Sequence, residues 1–111
     1  MPRREIRIPA EQYDALELAA NDLGGVGSGR WFGTRAGSVD FNCPVCINGL
    51  AHYTGITSEI NASKAVGIET YENDRTVRRL IAQGHWHPDA EGVPRVPFSL
   101  LMKRLNVRRV P

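Results

Sequence analysis

Two cysteines with two residues between them, Cys43-Pro44-Val45-Cys46, and three downstream histidines, His52, His85 and His87, are the side chains of this 111-residue chain best placed by type for chemistry. Thiolates at that spacing can grip one metal ion or work as a redox dithiol. Zinc takes four ligands in a tetrahedron, and thiolates with imidazoles are a usual set. Proline between the cysteines favours a tight turn that aims both sulfurs at one point. His85 and His87 stand at i and i+2 and would project to one side of an extended segment. Cys43, Cys46, His85 and His87 are therefore the candidate zinc ligands, with His52 as a substitute. All four together would form a closed structural site. No catalytic residues are assigned: the chain has neither His-Glu-x-x-His nor the deaminase pattern of His-x-Glu followed by Pro-Cys-x-x-Cys.

The elements that must position these groups are legible in part. Alternation over residues 3–8, with Ile6 and Ile8 on one face, predicts a short strand. Pro9 suits the first turn of a helix over 10–23, whose apolar stripe is Tyr13, Leu16, Ala20 and Leu23 and whose stop is Gly24-Gly25. The run Gly24 to Gly29 lacks the Gly-Lys-Ser/Thr ending of a phosphate-cradling loop and is read as a flexible loop. Trp31 and Phe32 are expected in the core. Val39 to Phe41 is read as a strand entering the cysteine pair, and 47–53 as a short helix after it. A further helix runs from Thr57 or Ser58 to Val66, with Gly67 as its stop. Asn73 or Asp74 is the expected cap of the next, with Val77, Leu80 and Ile81 inward and Gly84 at its end. Trp86 is expected as a packing anchor. Residues 88–97, with Pro88, Pro94 and Pro97, form an irregular arm. Phe98 to Leu105 is a last short helix with Leu101 and Leu105 inward and Asn106 as its stop, and Val107–Val110 returns as a strand beside the first.

The whole is predicted as one α+β domain over residues 1–111, helix-rich, with four to five short helices and a small sheet of the terminal strands. The apolar fraction of 41% suffices for one modest core. No apolar run approaches the roughly 18–20 residues that span a bilayer, and the first residues hold no apolar leader, so a cytoplasmic protein without a membrane partner is expected. The net charge of +2 hides an asymmetry. Residues 1–35 are balanced, 36–91 carry −3, and 92–111 carry Arg95, Lys103, Arg104, Arg108 and Arg109 without one acid. Those five cations are the candidate partner-binding residues, for an acidic protein surface or for phosphate.

Two resemblances bear on function. Cys43-Pro44-Val45-Cys46 resembles the Cys-Pro-x-Cys site of glutaredoxins, with Val93-Pro94 near the place of their Val-Pro turn. That likeness implies a thiol–disulfide oxidoreductase in which a helix N-terminus activates Cys43. Only 17 residues follow Pro94, too few for the rest of such a fold. Over about 43–84, Cys46-Ile47-Asn48-Gly49-Leu50-Ala51 and Glu72-Asn73-Asp74-Arg75-Thr76-Val77 resemble small phage and actinobacterial proteins of unknown function. Leu50 stands one place earlier than in that pattern, and Glu72 replaces an expected tryptophan. This resemblance implies a phage or mobile-element origin, hence the host cytoplasm, and no activity.

The favoured role is a non-enzymatic protein-binding module, a phage-type accessory or inhibitor protein stapled by zinc. Two alternatives stay open: a glutaredoxin-like enzyme using Cys43 and Cys46, and a nucleic-acid-binding protein using the basic C-terminal segment.

Overall fold

A computed structural model of the chain describes residues 4–28, 34–35, 38–39, 47, 50–51, 54, 67–86 and 95–111. The first strand, β1 (Ile6–Pro9), alternates as its sequence demands: Ile6 and Ile8 are buried, Arg7 and Pro9 exposed. It runs straight into α1 (Ala10–Asp22), with Pro9 as N-cap residue. Proline there supplies a fixed φ and has no N–H to leave orphaned. Leu16, Ala20 and Leu23 of the expected stripe are buried together with Ala19, and Tyr13 is partly covered. Two two-residue strands, β2 (Thr34–Arg35) and β3 (Ser38–Val39), form an antiparallel pair.

The second helix, α2 (Thr70–Ala82), begins earlier than its sequence suggested. Glu69 is the N-cap residue, and its backbone N–H donates to the Glu72 carboxylate at 3.4 Å, the return half of a capping box. Asn73 therefore caps nothing. It lies one turn inside the helix, fully buried. The third helix, α3 (Phe98–Arg104), has only seven residues, too few to persist alone in water. It is held by packing: Phe98, Leu101 and Met102 are buried, and α3 touches both α1 and α2. Tyr13 of α1 meets Phe98 edge to face at 5.2 Å.

Asn106 then turns the chain at once into β4 (Val107–Val110), with φ of +58°. Asparagine is one of the few residues that tolerates this left-handed conformation. β4 lies parallel to β1, in the register Ile6↔Val107 through Pro9↔Val110, and Ile6 N–H donates to Asn106 C=O at 3.0 Å. The terminal strands thus pair as expected. The α+β class holds, and the described residues contain three of the expected helices. Ile47, Leu50 and Ala51 have helical backbone and are wholly buried, while the expected helix up to Val66 lies outside the described residues.

One hydrophobic core joins these pieces: Ile6 and Ile8 from the sheet, the inner faces of three helices, and Ile47, Leu50 and Ile68 between them. Val26 and Val96 exchange two 2.9 Å backbone hydrogen bonds across it, so the end of the proline-rich arm is tied down as a bridge. The radius of gyration is 12.7 Å, about that of a compact chain of this length.

Candidate functional site: a basic helical face

Four residues of the expected metal site, Cys43, Cys46, His52 and His87, lie outside the described residues, as do Trp31 and Phe32. His85 is described and exposed, just beyond the end of α2. Among the described residues no group of three or more His, Cys, Asp and Glu could hold a metal ion. The basic C-terminal cations divide. Arg95 is only 4% exposed and belongs to the interior, which takes it out of a partner-facing surface. Lys103, Arg104, Arg108 and Arg109 are exposed, but on two different sides of the molecule's secondary structure.

On the sheet side, β1 and β4 set Arg7 beside Arg108 in register. Acids answer these cations. Arg7 Nε donates to Glu5 Oε1 at 2.7 Å. That hydrogen bond lowers the Glu5 carboxyl from its ordinary value, against partial desolvation, and the charges of Arg7 and Arg108 lower it further. Arg109 grips Asp14 of α1 with two bonds, Nε to Oδ1 at 2.8 Å and Nη2 to Oδ2 at 2.9 Å. The same bond holds Asp14 low and raises Arg109.

The helical side differs. α2 buries Asn73, Thr76, Val77 and Leu80 and exposes Tyr71, Arg75, Arg78, Arg79 and Ala82. Tyr71, Arg75, Arg78 and Ala82 recur at i, i+4, i+7 and i+11, so they form one stripe along the helix. α3 adds Lys103 and Arg104 from its last turn. Arg104 Nη1 donates to Gln83 Oε1 at 3.2 Å and links the C-terminal ends of the two helices. α2 thus exposes three cations and α3 two, with Arg104 at the joint between them, and residues 75–86 with 95–111 contain eight Lys and Arg and no acidic side chains. The described ion pairs lie on the sheet side.

Helix dipoles explain part of the pattern. A cation in the last turn of a helix gains about 0.3–1 kcal/mol, and the gain fades within that turn. Arg79, Lys103 and Arg104 sit there. Arg75 and Arg78 lie further back and gain little. Arg75 instead stands 6.0 Å from the Tyr71 ring centroid, within cation–π range.

The face is mounted from beneath by Asn73. Its Nδ2 donates to Gly27 C=O at 3.0 Å and to Asp74 Oδ1 at 3.2 Å, and its Oδ1 accepts the Ile47 N–H at 3.2 Å. One buried amide thus ties α2 to the segment after α1 and to the helical turn at Ile47. At the far end, Gly84 takes φ of +87°, and an added Cβ there would meet nothing within 4 Å. The turn closes with Gly84 N–H to Ile81 C=O and His85 N–H to Leu80 C=O, both 2.9 Å. Trp86 follows directly and is 44% exposed, so it is no packing anchor.

No family model, no curated protein and no solved structure matches the chain significantly.

The sequence pointed to the α3 cations through the charge asymmetry of 92–111 but passed over Arg75, Arg78 and Arg79. Their helical spacing was the available signal. It was masked because residues 36–91 as a block are net negative, while the acids of the α2 region fall before Arg75.

Proposed function

We infer that the protein is a non-enzymatic binding module whose α2–α3 face engages the phosphates of a nucleic acid. The observation that carries this reading is the exposure of Arg75, Arg78, Arg79, Lys103 and Arg104 on two helices joined at their C-terminal ends, with no acid in residues 75–86 or 95–111. A face on which cations outnumber acids is the electrostatic footprint of a polyanion partner, and the acids of α2, Glu72 and Asp74, are confined to its N-terminal end. Charge of this kind binds by releasing condensed counterions and is largely indifferent to sequence. The reading does not depend on a zinc staple at the cysteine pair.

A protein partner is the competing role. Its support is the exposure, among the described residues, of the large apolar side chains Leu18, Tyr71 and Trp86. Single exposed apolar side chains are common on any surface and call for no partner by themselves. The cation cluster is the rarer feature and decides the choice.

Titrating salt against binding of a fluorescein-labelled 20-nucleotide oligo(dT) tests the reading. If the five cations each neutralise a phosphate, log affinity falls with log salt at a slope of about −3.5, at about 0.7 per contact on single strands. No binding at low salt, or a flat response, removes the nucleic-acid role.

A further inference from the structure

The proposed phosphate contacts leave open how the bases are held. We propose that the strand is single and that Trp86 is the platform on which one of its bases stacks, an inference that rests on the basic face described above.

Trp86 combines three properties. It is 44% exposed although it is the most costly kind of side chain to leave in water. The turn that delivers it is fixed: the left-handed Gly84 reverses the chain, and His85 N–H is bonded to Leu80 C=O at 2.9 Å, one residue before it. It also stands at the cationic end of α2, four residues past Ala82, next to the end that Arg104 and Gln83 join to α3. An exposed indole just past the cationic end of a helix is how sequence-tolerant proteins hold unpaired bases, with the backbone tracked by charge and the base stacked on a ring.

Duplex readout fits the same helix poorly. A groove-reading helix presents its N-terminal half to the base edges with phosphates close on both flanks. The N-terminal half of α2 carries Glu72 and Asp74, with Glu69 as its N-cap, and these would repel those phosphates. The ring at that end, Tyr71, already faces the Arg75 guanidinium. Among the described residues, charge complementarity and an exposed ring with no cation over it therefore coincide at the Trp86 end.

The test compares fluorescein-labelled 20-nucleotide oligo(dT), a 20-nucleotide abasic strand with the same phosphates, and a 20-base-pair duplex, against wild type, Trp86→Ala and Trp86→Phe. Stacking on one ring changes affinity by about five- to a hundredfold on alanine substitution. Trp86→Ala is expected to lose that factor on oligo(dT) and nothing on the abasic strand, while Trp86→Phe keeps most of the affinity. Because Trp86 is half in solvent, both variants should retain the wild-type melting temperature, and the phenylalanine variant carries the test should the alanine one not. Equal affinity of wild type for oligo(dT) and the abasic strand, an unchanged Trp86→Ala, or tighter binding of the duplex would overturn base stacking and leave the basic face standing. Binding to none of the three probes at low salt would remove both.

Discussion

The two basic sides of this molecule carry arginines in similar number and use them differently. On the sheet side, Arg7 and Arg109 are held by Glu5 and Asp14, and Arg108 shares the field of Glu5. On the helical side, Arg104 bonds a neutral glutamine, Arg75 faces a ring, and Arg78 and Lys103 carry no ion pair among the described residues. The difference teaches that the charge of a sequence segment is not the charge a surface offers. Of the five cations in 92–111, one is buried, one is locked to an acid and Arg108 lies on the sheet side, while three arginines from a segment that is net negative join Lys103 and Arg104 on the helical side. Exposed ion pairs stabilise a fold little. Their effect here is on availability: a paired guanidinium must first release its acid to meet a phosphate.

The largest effect separates the two sides directly. Arg75→Glu/Arg78→Glu/Arg79→Glu and Arg7→Glu/Arg108→Glu/Arg109→Glu change net charge by the same amount. If binding followed net charge, both would lose affinity alike. Loss of three phosphate contacts on the helical face lowers affinity for the 20-nucleotide oligo(dT) about a hundredfold at 0.1 M salt, at about 0.7 in slope per contact. The sheet-side variant is expected to bind nearly as wild type. Anisotropy titrations on the two proteins decide it, and equal losses would erase the distinction between the faces.

Much of the scaffold behind this contrast was legible, for local reasons. Ile6 and Ile8 alternate, α1 repeats its apolar residues at helical spacing, and Gly24, Gly84 and Asn106 all take the positive φ that ends a helix. Even the pairing of the terminal strands followed from two short apolar alternations at the ends of the chain. The misses involve choices among local alternatives or contacts distant in sequence. Asn73 read as a cap because asparagine is a good one, yet Glu69 and Glu72 formed the cap and left Asn73 to be buried. Its two backbone partners are 46 and 26 residues away, where no periodicity could point. Trp86 read as core by residue type alone, but the turn at Gly84 carries it outward. The cysteine pair, the most conspicuous chemistry in the sequence, lies outside the described residues.

The two faces are also mounted differently, and the next largest effect probes this. The sheet side rests on apolar packing through Ile6 and Ile8, whereas α2 is tied down by a buried amide. Asn73→Ala would leave the Gly27 carbonyl and the Ile47 N–H buried without that partner, a loss of about 1–3 kcal/mol. Urea unfolding reads the loss, and hydrogen exchange at the Ile47 amide should quicken with it. An unchanged midpoint and exchange rate would mean that packing alone fixes α2, and the helical face would then be mounted just as the sheet side is.

The smallest effect tests whether the sheet side is truly neutralised. The Arg109 hydrogen bonds hold the Asp14 carboxyl below its ordinary 3.8, opposed in part by desolvation and aided by the arginine charge. A carboxyl lowered on folding contributes stability that is fully present above its unfolded value and is lost as pH falls through the lower folded one. Acid unfolding below about pH 4 should therefore be less pH-dependent in Asp14→Asn than in wild type. Side-chain NMR titration of Asp14 should show a depressed midpoint that rises toward 3.8 in Arg109→Gln. Should Asp14 titrate at its ordinary value in wild type and ignore that substitution, Arg109 is not held in solution. Its charge would then be as available as that of Arg78, and the contrast between the two sides would narrow to Arg7 alone.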